Sequence, residues 1–228
     1  MLSVIIPTLN SAPELPATLQ ALVPGAVSGL ISNVVVADGG STDATKDIAE
    51  DAGCEWVEGP PGRGAQLAAG ASRARGNWLL FLHADTVLRD NWIEDIESFV
   101  KDTEQRNIEK AAVFRFALAT HKRRARMIEW LTWFRGAVFA LPYGDQGLLI
   151  ERSLFDRIGG MSDLPIMEDV EIVRRLGRRR LATLPSRAVT SAARYEQNGY
   201  FRRPLHNLTC LSLYLLGAPI ETIRKRYG

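Results

Sequence analysis

The chain has 228 residues, 46% of them hydrophobic and 24% charged, which is the make-up of a folded domain with one sizeable core and excludes a largely disordered tract. The net charge of +2 hides an imbalance: residues 1–120 carry 9 Lys and Arg against 16 Asp and Glu, and residues 121–228 carry 19 against 10. The basic second half is therefore suited to an anion, whether a phosphate-bearing substrate, a lipid headgroup or a nucleic acid.

Residues 2–6 form a β-branched apolar run stopped by Pro7, which predicts a first strand. "APELPATLQALV" follows with helical spacing. "ISNVVVA" at 31–37 reads as a second buried strand that ends at "DGGSTD", where Ser41, Thr42 and Asp43 are good caps for a helix starting near Ala44. A short third strand is expected at 54–57, and "GRGAQLAAGASRA" has the small residues of a helix packed tightly on a sheet. The run at 77–83, "NWLLFLH", is a strand too apolar for an edge. Strands and helices alternating at this interval predict an α/β domain: a mostly parallel central sheet with helices on both faces and right-handed connections.

The second half is less regular. A strand is expected at 111–119, a helix over "RMIEWLTWFRGAVFAL", a Gly-bounded loop at "YGDQG", a strand at "LLI", and a loop running into a basic helix over "PIMEDVEIVRRLGRRR". No repeat or linker divides the chain, so residues 1–228 are read as one domain.

In open sheets of this kind ligands sit beyond the carboxyl ends of the strands. Pro7, Thr8, Asn10, Asp38, His83, Ala84 and Asp85 all fall at such ends. Asp38 caps nothing obvious in its turn, and its carboxylate suits a base N–H or a ribose hydroxyl; the alternative is a plain strand-to-helix turn. A carboxylate such as Asp85 at a strand rim favours a hard divalent cation that would bridge phosphate oxygens, though one Asp and one His also make an ordinary turn. Glu168 and Asp169 open a helix, where acids complement the macrodipole without any chemistry; the functional alternative is a general base. The basic runs "HKRRAR" and "RRLGRRR" read first as solvated faces. No zinc-finger spacing or RNA-recognition motif accompanies them, so no nucleic-acid partner is expected. The tail "FRRPLHNLTCLSLYLLGAPIETIRKRYG" suits a last helix of the fold, a homodimer contact, or a peripheral contact with a membrane.

Cys54 and Cys210 make neither a disulfide framework nor a metal-type cluster, which fits a reducing cytoplasm. "MLSVIIPTLN" lacks the basic segment and long apolar core of a secretory signal. No run reaches the roughly 18–20 apolar residues of a membrane span. The expected location is thus cytoplasmic, or peripheral at the inner face of the membrane.

Taken together, "SVIIPTLN", "VVADGGSTD", "FLHADT" and "MEDVE" resemble the family 2 glycosyltransferases of GT-A fold. "PYGDQG" and "FDRIGG" further resemble a bacterial subfamily associated with radical-SAM and selenodomain proteins. The resemblance implies a nucleotide-diphosphate sugar donor, with residues 1–120 as its binding half and 121–228 on the side of a hydroxyl acceptor. It implies that Asp38 contacts the nucleobase or ribose, that Pro7, Thr8, Asn10, His83 and Ala84 line the same pocket, and that Arg63 lies near the nucleotide. It further implies that Asp85 holds a divalent metal, Mg or Mn, and that Asp169 is the catalytic base of an inverting transfer. Glu168 and Asp145 would position the acceptor or Asp169, and Gln146 would meet a sugar hydroxyl. His83 stands where the first Asp of the family's Asp-x-Asp motif usually lies, Gly39 replaces the second Asp of "DDGS", and Ala68 takes the place of a frequent Asn. Two other readings compete. A sugar nucleotidyltransferase would need a Gly-rich basic loop after the first strand, where "PTLNSAPEL" stands. A non-catalytic module docking on anions or membranes would use the basic half alone. A dinucleotide-binding oxidoreductase lacks its G-x-G-x-x-G.

Overall fold

The computed structural model describes residues 1–60, 62–120, 122–139, 144–192 and 202–227. Eight strands form one sheet: β1 (Leu2–Thr8), β2 (Ile31–Asp38), β3 (Glu55–Glu58), β4 (Trp78–Phe81), β5 (Thr86–Arg89), β6 (Ala111–Leu118), β7 (Leu148–Glu151) and β8 (Leu181–Thr190), in the order β3-β2-β1-β4-β7-β6-β8-β5. The pairs β3–β2, β2–β1, β1–β4 and β6–β8 are parallel, whereas β7 runs antiparallel between β4 and β6, and β5 pairs antiparallel with β8. The helices are α1 (Leu15–Val27), α2 (Thr45–Asp51), α3 (Arg63–Arg73), α4 (Trp92–Arg106), α5 (Arg123–Phe139), α6 (Arg152–Arg157), α7 (Glu168–Leu176), α8 (Arg202–Leu215) and α9 (Ile220–Tyr227).

The period-2 alternation of a strand sorts the core into two layers. Val4, Ile6, Leu80, Ala112, Phe114 and Leu149 face α1 and α4, packing with Leu15, Leu19, Trp92 and Ile96. Ile5, Leu79, Phe81, Val113, Leu148 and Ile150 face the other way, onto Leu67 of α3, Phe155 of α6 and Ile172 and Val173 of α7. With both faces covered, the strands read as continuous apolar runs. The small residues of α3 have the expected purpose: a Cβ at Gly70 would come 2.5 Å from Ile5 Cγ2, so the helix lies tight against β1.

Three elements escaped the sequence reading. β5 and α4 occupy 86–106, and β8 lies inside the sheet between β6 and β5. The basic segment after 167 is not one helix: Gly177, with φ of 82°, ends α7, and Arg178–Arg180 form a separate 3-10 turn. The helix after "DGGSTD" begins at Thr45 without a side-chain cap on its first turn from Ser41 or Thr42; Asp43 Oδ1 instead accepts the Thr45 amide at 3.1 Å. His121, Pro142 and Tyr143, from the "HKRRAR" and "PYGDQG" motifs, lie outside the described residues. So do 193–201, which include the start of the tail.

Candidate active site

At the carboxyl edge of β1 and β4 a hollow of about 440 Å³, counted to its open mouth, is walled by α3 and α7. Pro7, Arg63, His83, Glu168 and Asp169 line it over a floor that includes Phe81, Val113 and Leu148. Residues more than a hundred positions apart therefore meet where the β1 and β4 chains leave the sheet.

Backbone contacts set this meeting. Arg63 is the first residue of α3, and Gly64 behind it donates its amide to Leu164 O at 3.0 Å. A Cβ at Gly64 would stand 2.0 Å from Ser162 O, so only glycine lets the 162–164 segment close on α3. That segment leads into Met167, a non-glycine residue held left-handed with φ of 65°, which turns the chain into α7. Such backbone conformations cost free energy and are held by their surroundings, here burial of Met167 with Val170 against Cys210 and Leu211 of α8.

The polar groups form a chain across the hollow. Arg63 Nε lies 3.1 Å from Glu168 Oε1, and the other end of the guanidinium meets the His83 ring at Nε2. Glu168 is only 1% exposed. Burial pushes its carboxyl up to about 7 against the pull of the Arg63 charge, and the neighbouring Asp169 charge adds to the rise. Asp169 is half-buried, and its Oδ1 accepts the Val170 amide at 2.8 Å. It lines the hollow beside Glu168.

The other candidates do not line this hollow. Asp38 is 2% exposed. Contrary to the expectation that it caps nothing, it accepts the Gly40 amide at 2.8 Å, the Ser41 amide at 2.6 Å, the Ser41 hydroxyl, and the Thr8 hydroxyl at 2.8 Å. Burial opposes its ionisation, but the hydroxyl and amide of Ser41, the Thr8 hydroxyl and the Gly40 amide together hold it below the usual carboxylate range. Thr8 is buried in this contact. Asn10, left-handed with φ of 50°, takes the Thr42 amide on Oδ1 at 2.9 Å and gives its own amide to Ser41 Oγ at 2.8 Å. Gln66 of α3 completes this corner, donating to Thr8 O at 2.8 Å; a Cβ at Gly39 would come 2.5 Å from its Nε2. Nothing in the composition of α3 marked Gln66 for this role.

Asp85 and Asp145 both meet the end of β8 through their main-chain carbonyls. The Ser191 amide donates to Asp85 O, and the Thr190 hydroxyl donates to Asp145 O. The Ala84 carbonyl accepts the Thr18 hydroxyl at 2.7 Å, so its main chain is fixed. Gln146 is 6% exposed and donates Nε2 to Phe114 O at 3.0 Å. That bond uses one of the two N–H donors of the amide and braces the loop to β6. Among the described residues no three His, Cys, Asp or Glu side chains stand close enough to hold a metal between them. The half-buried Asp85 carboxylate at the sheet rim suits only a cation whose other ligands come from a substrate or water, the mode usual for Mg²⁺.

Several solved structures share the fold. TarS of S. aureus in complex with UDP-GlcNAc matches with a TM-score of 0.62 and 18% identity over 83% of this chain and 58% of that one. Glucosyl-3-phosphoglycerate synthase from Mycobacterium tuberculosis, in complex with Mn²⁺, UDP and phosphoglyceric acid, matches with a TM-score of 0.61 and 19% identity over 96% and 79%. The fold is thus the α/β GT-A fold. A PGL/p-HBAD biosynthesis glycosyltransferase of Mycobacterium tuberculosis is 39% identical over 95 residues, 39% of this chain and 36% of the relative. The chain therefore spans only about a third of the length of that curated relative. The model of glycosyl transferase family 2 matches residues 3–161, more than half of the sequence, and the chain belongs to that family.

Proposed function

We propose that the chain transfers a sugar from a nucleotide-diphosphate sugar to an acceptor hydroxyl, with inversion at the anomeric carbon. The observation that carries this reading is the convergence of Arg63, His83, Glu168 and Asp169 on one hollow at the carboxyl edge of β1 and β4. Family membership and two neighbours in complex with UDP or UDP-GlcNAc support the donor class.

In this reading residues 1–120 hold the donor. The Asp38–Ser41 corner, with Thr8 and Asn10, forms a rigid rim against which the nucleoside rests; Asp38 shapes that rim through its four internal bonds. Arg63 gives the leaving diphosphate a positive neighbour as charge develops on it. Asp85, with diphosphate oxygens and water, would hold a divalent ion, Mg²⁺ or Mn²⁺, and that ion when bound supplies further positive charge at the same place. Asp169 accepts the proton of the acceptor hydroxyl as the new bond forms on the face opposite the leaving group. Glu168, buried beside it at the start of α7, positions Arg63 and Asp169. The basic second half, with Asp145 at the loop before β7, forms the acceptor side. The continuous sheet supports one domain across both halves. "FDRIGG", in α6 and its exit, together with "PYGDQG", supports the radical-SAM and selenodomain-associated subfamily. Among the described residues no helix is long and apolar enough to cross a membrane.

The test is a thermal-shift screen of UDP-, GDP- and dTDP-sugars with and without Mn²⁺, followed by titration of the best donor into Asp169→Asn. The variant is expected to bind donor as the parent does and to lose roughly 10²–10⁴-fold in turnover. Retained turnover, or equal loss of donor affinity, would remove Asp169 from the role of base.

A further inference from the structure

Arg175 stands in the last turn of α7, where a cation ordinarily complements the helix dipole and points to water. Its neighbour Arg174 is exposed, but Arg175 is half-buried and turned into the segment between α6 and α7. Its Nη1 donates to Ile158 O, and its Nη2 donates to Gly160 O at 2.7 Å and to Glu171 Oε2 at 2.6 Å. Nε lies 2.5 Å from Glu171 Oε1, and the Ser162 hydroxyl donates to Glu171 Oε2 at 2.7 Å. A Cβ at Gly159 would come 3.2 Å from Nη1, so the segment is drawn closely round one guanidinium. The same stretch of chain carries the Ser162 carbonyl that abuts Gly64, and Leu164 O, which receives the Gly64 amide. Gly64 directly follows Arg63.

We propose that Arg175 is a positioning residue for the transfer reaction: through the 158–164 segment it sets where the Arg63 guanidinium stands in the hollow. The inference rests on the reading of Arg63 as the cation beside the leaving diphosphate. Arg175 does not line the hollow. It follows Glu168 by seven residues, about 10 Å along the helix axis. α7 is therefore tied to the start of α3 from both ends. In its first turn Glu168 pairs directly with Arg63, and in its last turn Arg175 reaches Gly64 through the loop. Two ties hold Arg63 at one setting between Glu168 and the His83 ring. Lysine at 175 would keep the charge, but a single ammonium cannot span two carbonyls and a carboxylate as the planar fork does.

The experiment compares Arg175→Lys, Arg63→Ala and the double variant in the full chain, by calorimetric titration of UDP with Mn²⁺ and by urea unfolding across pH. Each single variant is expected to weaken UDP binding on the order of tenfold, and the double variant to bind no more weakly than Arg63→Ala alone. The Arg63 charge lowers the pH at which Glu168 gives up its proton. Loosening Arg63 should therefore move the falling limb of stability to higher pH, in Arg175→Lys as in Arg63→Ala. A brace that serves only the fold would lower stability alike at every pH. Ser162→Ala removes the hydroxyl tie alone and should move both readouts the same way by less; it carries the test if Arg175→Lys does not fold. Unchanged UDP affinity with an unmoved limb in folded variants would overturn the proposal, as would losses that add in the double variant. If the parent binds no UDP, the donor reading is what fails, and the position of the limb alone decides whether Arg175 sets Arg63.

Discussion

Glu168→Gln isolates the buried acid at the centre of the site. An unfolded glutamate titrates near 4.5, whereas burial holds Glu168 at about 7 in the folded protein. Between these values the folded state binds more protons than the unfolded one, so stability falls as pH rises. The contribution of Glu168 is fully present below pH 4.5 and is lost as pH passes about 7. At about 1.4 kcal/mol per pH unit, the separation between 4.5 and about 7 amounts to about 3 kcal/mol. Glutamine keeps the shape and cannot ionise, and Arg63, whose side chain is 36% exposed, can turn its charge to water. Urea unfolding followed by tryptophan fluorescence from about pH 5 to about pH 8 should therefore slope downward for the parent and stay nearly flat for the variant. At more acid pH both curves should fall together. Asp38 is held below its usual range, so its stabilisation is present above the unfolded value and is lost as pH drops through the folded one. Parallel slopes in the neutral range would refute the reasoning, because some other group would then carry the proton.

Gly64→Ala forces a methyl group into the carbonyls of Ser162 and Leu164, and it should destabilise the fold by about 2–3 kcal/mol in the same assay. An unchanged midpoint would mean that the 162–164 segment stands off α3 in solution. Thr8→Val leaves Asp38 short of one buried hydrogen bond and should cost about 1–2 kcal/mol, read by thermal unfolding. Asp85→Ala is expected to abolish the Mn²⁺ response of donor binding measured by calorimetry; a response equal to the parent's would place the cation elsewhere.

The first half of the fold was legible because its signals are local. The apolar runs at 2–6, 31–37 and 77–83 hold β1, β2 and β4, and "DGGSTD" marks where β2 stops, whereas β1 runs on through the expected stop at Pro7 to Thr8 because Pro7 stays in register with Ala37 of β2. Arg63, His83, Glu168 and Asp169 could be named individually from strand ends and motif resemblance. Their contact could not, since it depends on the Gly64 approach and the left-handed Met167, neither of which has a periodic signature. Asp38 illustrates the opposite limit. Its position beside two glycines suggested a group awaiting a ligand, whereas the Ser41 and Gly40 amides show that it also builds its own turn. β8 was missed because its run "LATLPSRAVT" places polar Ser186 and Thr190 at buried positions and contains Pro185, which weakens any strand signal; pairing with β6 and β5 overrides that weakness.

The placement of β8 also sets an order of events during synthesis. Thr86 of β5 meets Thr190 of β8, 104 positions later. Within the sheet β5 has β8 as its one neighbour, so a ribosome must deliver the chain through β8 before that edge can seal. Until then the rim carrying Asp85 has no partner strand beside it, while β1 to β4 already have theirs. The nascent protein therefore acquires its Asp38 corner early and the wall beside Asp85 last, and a product cut short before residue 181 would present an unfinished sheet edge to the quality-control machinery.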